Sequence, residues 1–225
     1  MHFEWGQANG KMKKTREALQ RRFGGRYRLV GFSLPQLQSR SGRVTCPFAG
    51  DCAAVCYAGQ STFYMPHVKA KYERNLDAVM RHRRRFVELV LEDLVELGRS
   101  VTHVRLHDSG DFFARWYYDG WMEVARRRPE LTLYGYTKSV PFLDFDSMPS
   151  NVRLVQSLGG KRDELVDLQR PHSRIFARGL DRRAAGYANG NLDDLPVLTG
   201  VVKIGLVYHG THTLKPEHLV LLRRP

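Results

Sequence analysis

The 225-residue chain has only three cysteines, no internal repeat, no Pro/Gly/Ser-rich linker and no long apolar run. Each absence excludes something. An odd, small cysteine count argues against a disulfide-framed secreted domain. A bilayer-spanning helix needs about 20 consecutive apolar residues, and no stretch comes near that, so no membrane partner is expected. The opening Met1-His2-Phe3-Glu4-Trp5 lacks the apolar centre of a secretory leader. The absence of linkers predicts a single domain over residues 1–225. Hydrophobic residues make up 42% of the chain, ordinary for a globular fold and too many for a disordered one. The expected compartment is the cytoplasm.

Acidic residues are scarce in one half. Residues 1–85 hold 17 Lys/Arg against 5 Asp/Glu, a net of +12 out of the formal +13 of the whole chain. Lys13 and Lys14 with Arg21 and Arg22 form one basic stretch, and Arg81, Arg83, Arg84 and Arg85 concentrate a second. Guanidinium groups match phosphate geometry, so this asymmetry predicts a polyanionic partner, most simply nucleic acid. The competing reading is a solvated basic face.

Periodicity gives an alternating pattern. A short basic helix is expected from Lys11 to Phe23, and apolar residues at three- and four-residue steps predict one long helix from Tyr64 to Leu97. Strands are expected in "YRLVGFSLP", "SVTHVRLHDSGDF", "LTLYGYTKS", "VRLVQSLGG", "SRIFARG" and "VVKIGLVYHGTH". Six strands alternating with helices predict an α/β fold. A partial (β/α) barrel of mainly parallel strands is preferred, with an open doubly wound sheet as the alternative.

All three cysteines fall in "CPFAGDCAAVC", as Cys46, Cys52 and Cys56. The loop is too polar and turn-rich for a core segment, and three clustered thiols suit a soft metal centre: an iron–sulfur cluster, or zinc with His67 as a fourth ligand. Asp108 and Asp111 could instead hold a divalent metal for phosphodiester cleavage, the zinc-stabilised nuclease alternative. His209 and His212 could supply a ligand. Lys138 is the most pointed cation at a strand end. The aromatic run from Phe112 to Trp121 reads mostly as core, with a ring or two free to stack on a base.

The C-P…C…C-Y-A loop and the Asp108-Ser109-Gly110-Asp111-Phe112 turn resemble, over most of the chain, phage-encoded cysteine-cluster proteins of the gene product 88 type. The layout of a cysteine loop after the first strand and a glycine turn after the second also resembles the radical S-adenosylmethionine superfamily. That resemblance implies a [4Fe-4S] cluster on Cys46, Cys52 and Cys56. It further implies contacts from Ser109, Gly110 and Asp111 to S-adenosylmethionine, and Thr137, Ser139 and Ser157 as polar pocket groups. Asp111 and Lys138 are the residues then expected to be catalytic. The spacing departs from that superfamily: five and three residues separate the cysteines where three and two are usual, and Tyr57 follows the last cysteine rather than preceding it. Two functions are therefore expected as alternatives: a radical-type enzyme acting on nucleic acid or nucleotides, and a non-enzymatic cluster protein that binds nucleic acid or senses redox state.

Overall fold

The computed structural model describes residues 2–7, 9–59 and 61–208. Seven parallel strands form one open sheet: β1 (Leu29–Phe32), β2 (His103–Leu106), β3 (Thr132–Thr137), β4 (Val152–Ser157), β5 (His172–Phe176), β6 (Ala188–Asn189) and β7 (Lys203–Val207). Their order is β1-β2-β3-β4-β5-β7-β6. The first five strands are laid down side by side in chain order, as in a part-barrel, but the ends do not meet. The strand that no sequence pattern announced, β6, has two residues. It lies at an edge, where a short strand limits edge-to-edge pairing. At the other edge Gly6 makes an antiparallel bridge to Gly31, with the two amides each donating to the other's carbonyl at 2.7 Å.

Strand alternation assigns two cores to two faces. Val30, Phe32, Val104, Leu106, Leu133 and Leu154 point to one face. There they meet α2 (Pro66–Arg81), α3 (Phe86–Leu97) and α4 (Arg115–Arg127), with Trp121 and Tyr117 fully buried among them. Leu29, Tyr134, Val155 and Ile204 point the other way, against Met12 and Leu19 of α1 (Gly10–Phe23) and Val197 of α6 (Leu195–Leu198). Between them in the chain comes α5 (Gly179–Ala184). The short basic helix expected from the sequence thus has one face in a core. Lys13 and Lys14 remain exposed.

The single long helix predicted from Tyr64 to Leu97 is two. α2 ends at Arg81, Arg83–Arg85 forms a 3-10 turn, and α3 starts at Phe86. His82 adopts a non-helical backbone (φ −111°, ψ 32°). Val79 and Phe86, on either side of the break, are buried in the same core. Seven residues separate them, the step that also keeps side chains on one stripe of a continuous helix. The break therefore interrupts the helix without interrupting its apolar pattern.

The second face also holds a buried ion network. Arg105 donates through Nε to Asp194 at 2.7 Å, and the Lys11 ammonium sits 2.7 Å from the other oxygen of that carboxylate. Burial pushes the Asp194 carboxyl up, but the two cations beside it hold it below the ordinary carboxylate value. Arg105 also pairs with Asp108, whose Oδ2 accepts from Asn9 at 2.5 Å. Helix α1 is therefore pinned to β2 by charge as well as by apolar packing.

His103 and His107 are buried without a charge partner. Burial pulls His103 down to about 4 and His107 down to about 3, from an ordinary 6.5. Their folded-state values are depressed, so below 6.5 the unfolded chain binds protons that the folded chain refuses. The contribution of these two histidines to stability is expected to be level above about 6.5 and to fall progressively as pH drops from 6.5 towards 3. Denaturant titrations across that range, read by tryptophan fluorescence, check this. Stability unchanged on acidification below 6.5 would contradict it.

Candidate functional site

The cysteine loop leaves β1 and is fastened at three places. Thr45 accepts the Asp111 amide on its carbonyl (3.1 Å) and donates its hydroxyl to the Pro35 carbonyl (2.6 Å). The amides of Thr45 and Cys46 both donate to the Leu37 carbonyl. On its far side the loop docks on the turn closing β4: the Cys52 amide donates to Gly159 O at 3.1 Å, and the Lys161 amide donates to Phe48 O at 2.9 Å. Ala49 and Gly160 form an antiparallel bridge. A Cβ on Gly50 would stand 2.7 Å from the Gly160 carbonyl carbon, so glycine there is a condition of the backbone approach. Asp163 holds the turn itself, its carboxylate accepting from the Gly159 and Gly160 amides at 2.8 Å each.

The turn closing β2 meets the loop from the other side. Gly110 has φ +78°, and a Cβ there would stand 2.7 Å from the Leu34 side chain. The Leu34 amide donates to Ser109 O (3.0 Å), and the Tyr57 hydroxyl donates to Asp108 O (2.6 Å). Asp111 turns inward and is buried. Its Oδ1 accepts from the Thr137 hydroxyl (2.6 Å) and the Phe112 amide (2.8 Å), and its Oδ2 from the Lys138 amide (2.8 Å). Ser139 donates its hydroxyl to Phe112 O at 2.7 Å. The Lys138 ammonium reaches across to β4, donating to Ser157 Oγ (2.7 Å) and to the carbonyl of Leu158 (3.1 Å).

Among the described residues, the three cysteines, Ser109, Gly110, Asp111, Thr137, Lys138, Ser139 and Ser157 all lie at or beside the carboxyl edge of neighbouring strands β1 to β4. The hydroxyls and carboxylate of Asp111, Thr137 and Ser139 tie one strand end to the next. The Lys138 ammonium goes to Ser157 and Leu158 rather than to Asp108 or Asp111. Arg81, Arg83, Arg84 and Arg85 stand exposed on and beside the turn between α2 and α3. His67 is exposed in the first turn of α2, and His209 and His212 lie outside the described residues.

The three thiols are unbridged and half-buried. Burial pushes the Cys46 thiol up to about 12, and the Asp111 carboxylate adds to the rise. Burial also raises Cys52 and Cys56, against an opposing pull from the Lys138 ammonium. Each thiol is within electrostatic reach of Lys138 or Asp111; Cys46 also feels Cys52 and Cys56, and Cys52 feels Cys56. Three bare thiolates would be costly here, and a group carrying positive charge would relieve that cost, since metals bind the thiolate form. Among the described residues, no three His, Cys, Asp or Glu side chains are drawn together as a single-ion site. Thiols are the donor type that soft metal centres take, an iron–sulfur cluster among them, so the residues present fit such a group by their chemistry. Asp108 and Asp111, the paired carboxylates of the nuclease alternative, are committed to different partners, Arg105 with Asn9 and Thr137 with two backbone amides.

Three features of the site were not expected from the sequence: the Asp163 bracket, the Tyr57 hydroxyl contact and the Gly50–Gly160 approach. The first had a visible signal, an aspartate three residues after a Gly-Gly pair, close enough in the chain to reach back to the two glycine amides. Gly50→Ala is expected to destabilise the fold by roughly 1–3 kcal/mol through overpacking, and to expose the 46–59 loop to protease. Gly179→Ala is the control, because nothing lies within 4 Å of a Cβ there. Equal stability and equal cleavage of the two variants in chemical denaturation and limited proteolysis would refute the clamp.

No curated protein and no solved structure matches the chain. The family model described as gene product 88 matches residues 5–217, nearly the whole length and including the cysteine loop, all seven strands and the strand-end turns. The chain belongs to the gene product 88 family.

Proposed function

We propose that Cys46, Cys52 and Cys56 hold a [4Fe-4S] cluster, and that the protein works as a radical S-adenosylmethionine-like enzyme on nucleic acid or nucleotides. The supporting observation is that the loop carrying three unbridged thiols, the Asp111 turn and the Lys138 side chain meet at one edge of a parallel sheet, where α/β folds carry their chemistry. Held by Cys46, Cys52 and Cys56, such a cluster would supply one-electron reduction to S-adenosylmethionine. The chain's own residues do the positioning. Asp111 locks the end of β2 to the end of β3, Lys138 locks β3 to β4 and keeps a cation beside Cys52 and Cys56, and Gly159–Gly160 fix the loop's height above the sheet. Ser109, Gly110 and Ser157 border the same edge and are the residues this reading gives to the cofactor. The exposed arginines and Lys13 and Lys14 give the acidic partner a place to dock.

One observation favours the non-enzymatic reading. The Asp111 carboxylate and the Thr137 and Ser139 hydroxyls are all engaged within the protein, so fewer free polar groups face the loop than a cofactor pocket would use. In that reading the cluster is structural or senses redox state.

Anaerobically purified protein is expected to be brown and to contain iron and acid-labile sulfide in equal amounts. Cys46→Ala, Cys52→Ala and Cys56→Ala should each bleach the colour and lower thermal stability, because filling the site is coupled to ordering its loop. Colourless protein with one equivalent of zinc would overturn the cluster.

A further inference from the structure

The break between α2 and α3 places cations and an aromatic ring together. The Arg83 guanidinium lies 4.6 Å over the ring centroid of Trp116, in the first turn of α4. Trp116 is half-buried and held edge-on by Phe113 (5.7 Å), Tyr117 (5.9 Å) and Phe86 (6.3 Å). Phe113, also half-buried, stacks on Tyr117 at 4.7 Å. Arg85 is paired with Glu92, and Arg115 with Asp119. Among the described residues no carboxylate pairs with Arg81, Arg83 or Arg84. These three cations stand unneutralised beside the start of the helix that follows the Asp111 turn, on a surface whose other arginines are mostly engaged.

Resting on the nucleic-acid reading above, we infer that Trp116 and Phe113, with Arg81, Arg83 and Arg84, form a platform for single-stranded nucleic acid. Charge complementarity selects a polyanion, and the ring selects its strand state. In a duplex the bases are stacked inside and only phosphates are offered, whereas a single strand can turn a base onto an aromatic face. Trp116 is already fixed by three neighbouring rings, so little side-chain freedom is given up on stacking. Arg83 can shift from the indole to a phosphate or continue the stack on the far side of the base. The platform begins at Phe113, two residues after Asp111 in the chain, so it adjoins the turn that closes β2.

The test is a fluorescence-anisotropy titration of full-length protein with a labelled oligonucleotide, single-stranded or annealed to its complement, at two salt concentrations. Trp116→Ala should weaken single-strand binding roughly tenfold or more, the weight of one stacked base, with duplex binding unchanged. Trp116→Phe, which keeps a ring among the same neighbours, should retain most single-strand affinity and guards against a folding artefact. Arg81→Ala with Arg84→Ala should weaken both forms and flatten the single-strand salt dependence, the log–log slope falling by roughly 0.7 for each phosphate no longer neutralised. Equal weakening for single strand and duplex in Trp116→Ala, or no weakening in either, would overturn the platform while leaving the nucleic-acid reading standing. Wild-type protein that binds neither form at low salt would overturn both.

Discussion

A single buried carboxylate fixes the geometry of the candidate site. Asp111 receives three donors, from Thr137 and from the amides of Phe112 and Lys138, while its own amide donates to Thr45 at the root of the cysteine loop. It thereby joins the end of β2, the end of β3 and the segment leaving β1. A buried carboxylate is tolerable only when its oxygens are satisfied, and here satisfaction requires the three segments to stand where they do. Burial raises the Asp111 carboxyl, and these hydrogen bonds together with the Lys138 ammonium oppose the rise. The neighbouring Lys138–Ser157 contact extends the same tie to β4, and the Gly159–Gly160 turn returns it to Cys52.

The open sheet has a second consequence. A closed barrel would fill its interior with strand side chains, whereas here α1 and α6 cover that face. Arg105, Asp108, Asp194, Lys11 and Asn9 join the helix to the sheet. Breaking a buried pair of this kind costs about 3–5 kcal/mol, because the remaining charge is left uncompensated. The same Asp108 accepts on its carbonyl from Tyr57, directly after Cys56. The covering helix and the cysteine loop are thus linked through one residue of the β2 turn.

Much of this was legible in the residues. Alternating strands and helices, and polar glycine turns after β2 and β4, followed from period and composition, and they located the site at one edge. The order of the first five strands agrees with the part-barrel expectation. Coverage of both faces, and failure of the sheet to close, agree with the open alternative. What escaped notice depends on tertiary packing. The helix break at His82 has no Gly or Pro to mark it, and Val79 and Phe86 keep the seven-residue step of an unbroken stripe across it. The burial of one face of α1 was hidden by its many basic residues, since Met12 and Leu19 are too few to announce a core stripe. The two-residue β6 has no period to read. The Arg105–Asp194 pair spans 89 residues of sequence, and no local pattern reports such a contact.

The proposed function turns on whether the cysteine site carries a cluster with an accessible iron. Electron-spin-resonance spectra of the anaerobically reduced protein, with and without S-adenosylmethionine, address that directly. The expected outcome is a cluster signal that changes when the cofactor is added, with the change weakened in Lys138→Met. A cluster signal that is identical at saturating cofactor, or no cluster signal in protein reconstituted with iron and sulfide, would contradict the proposal.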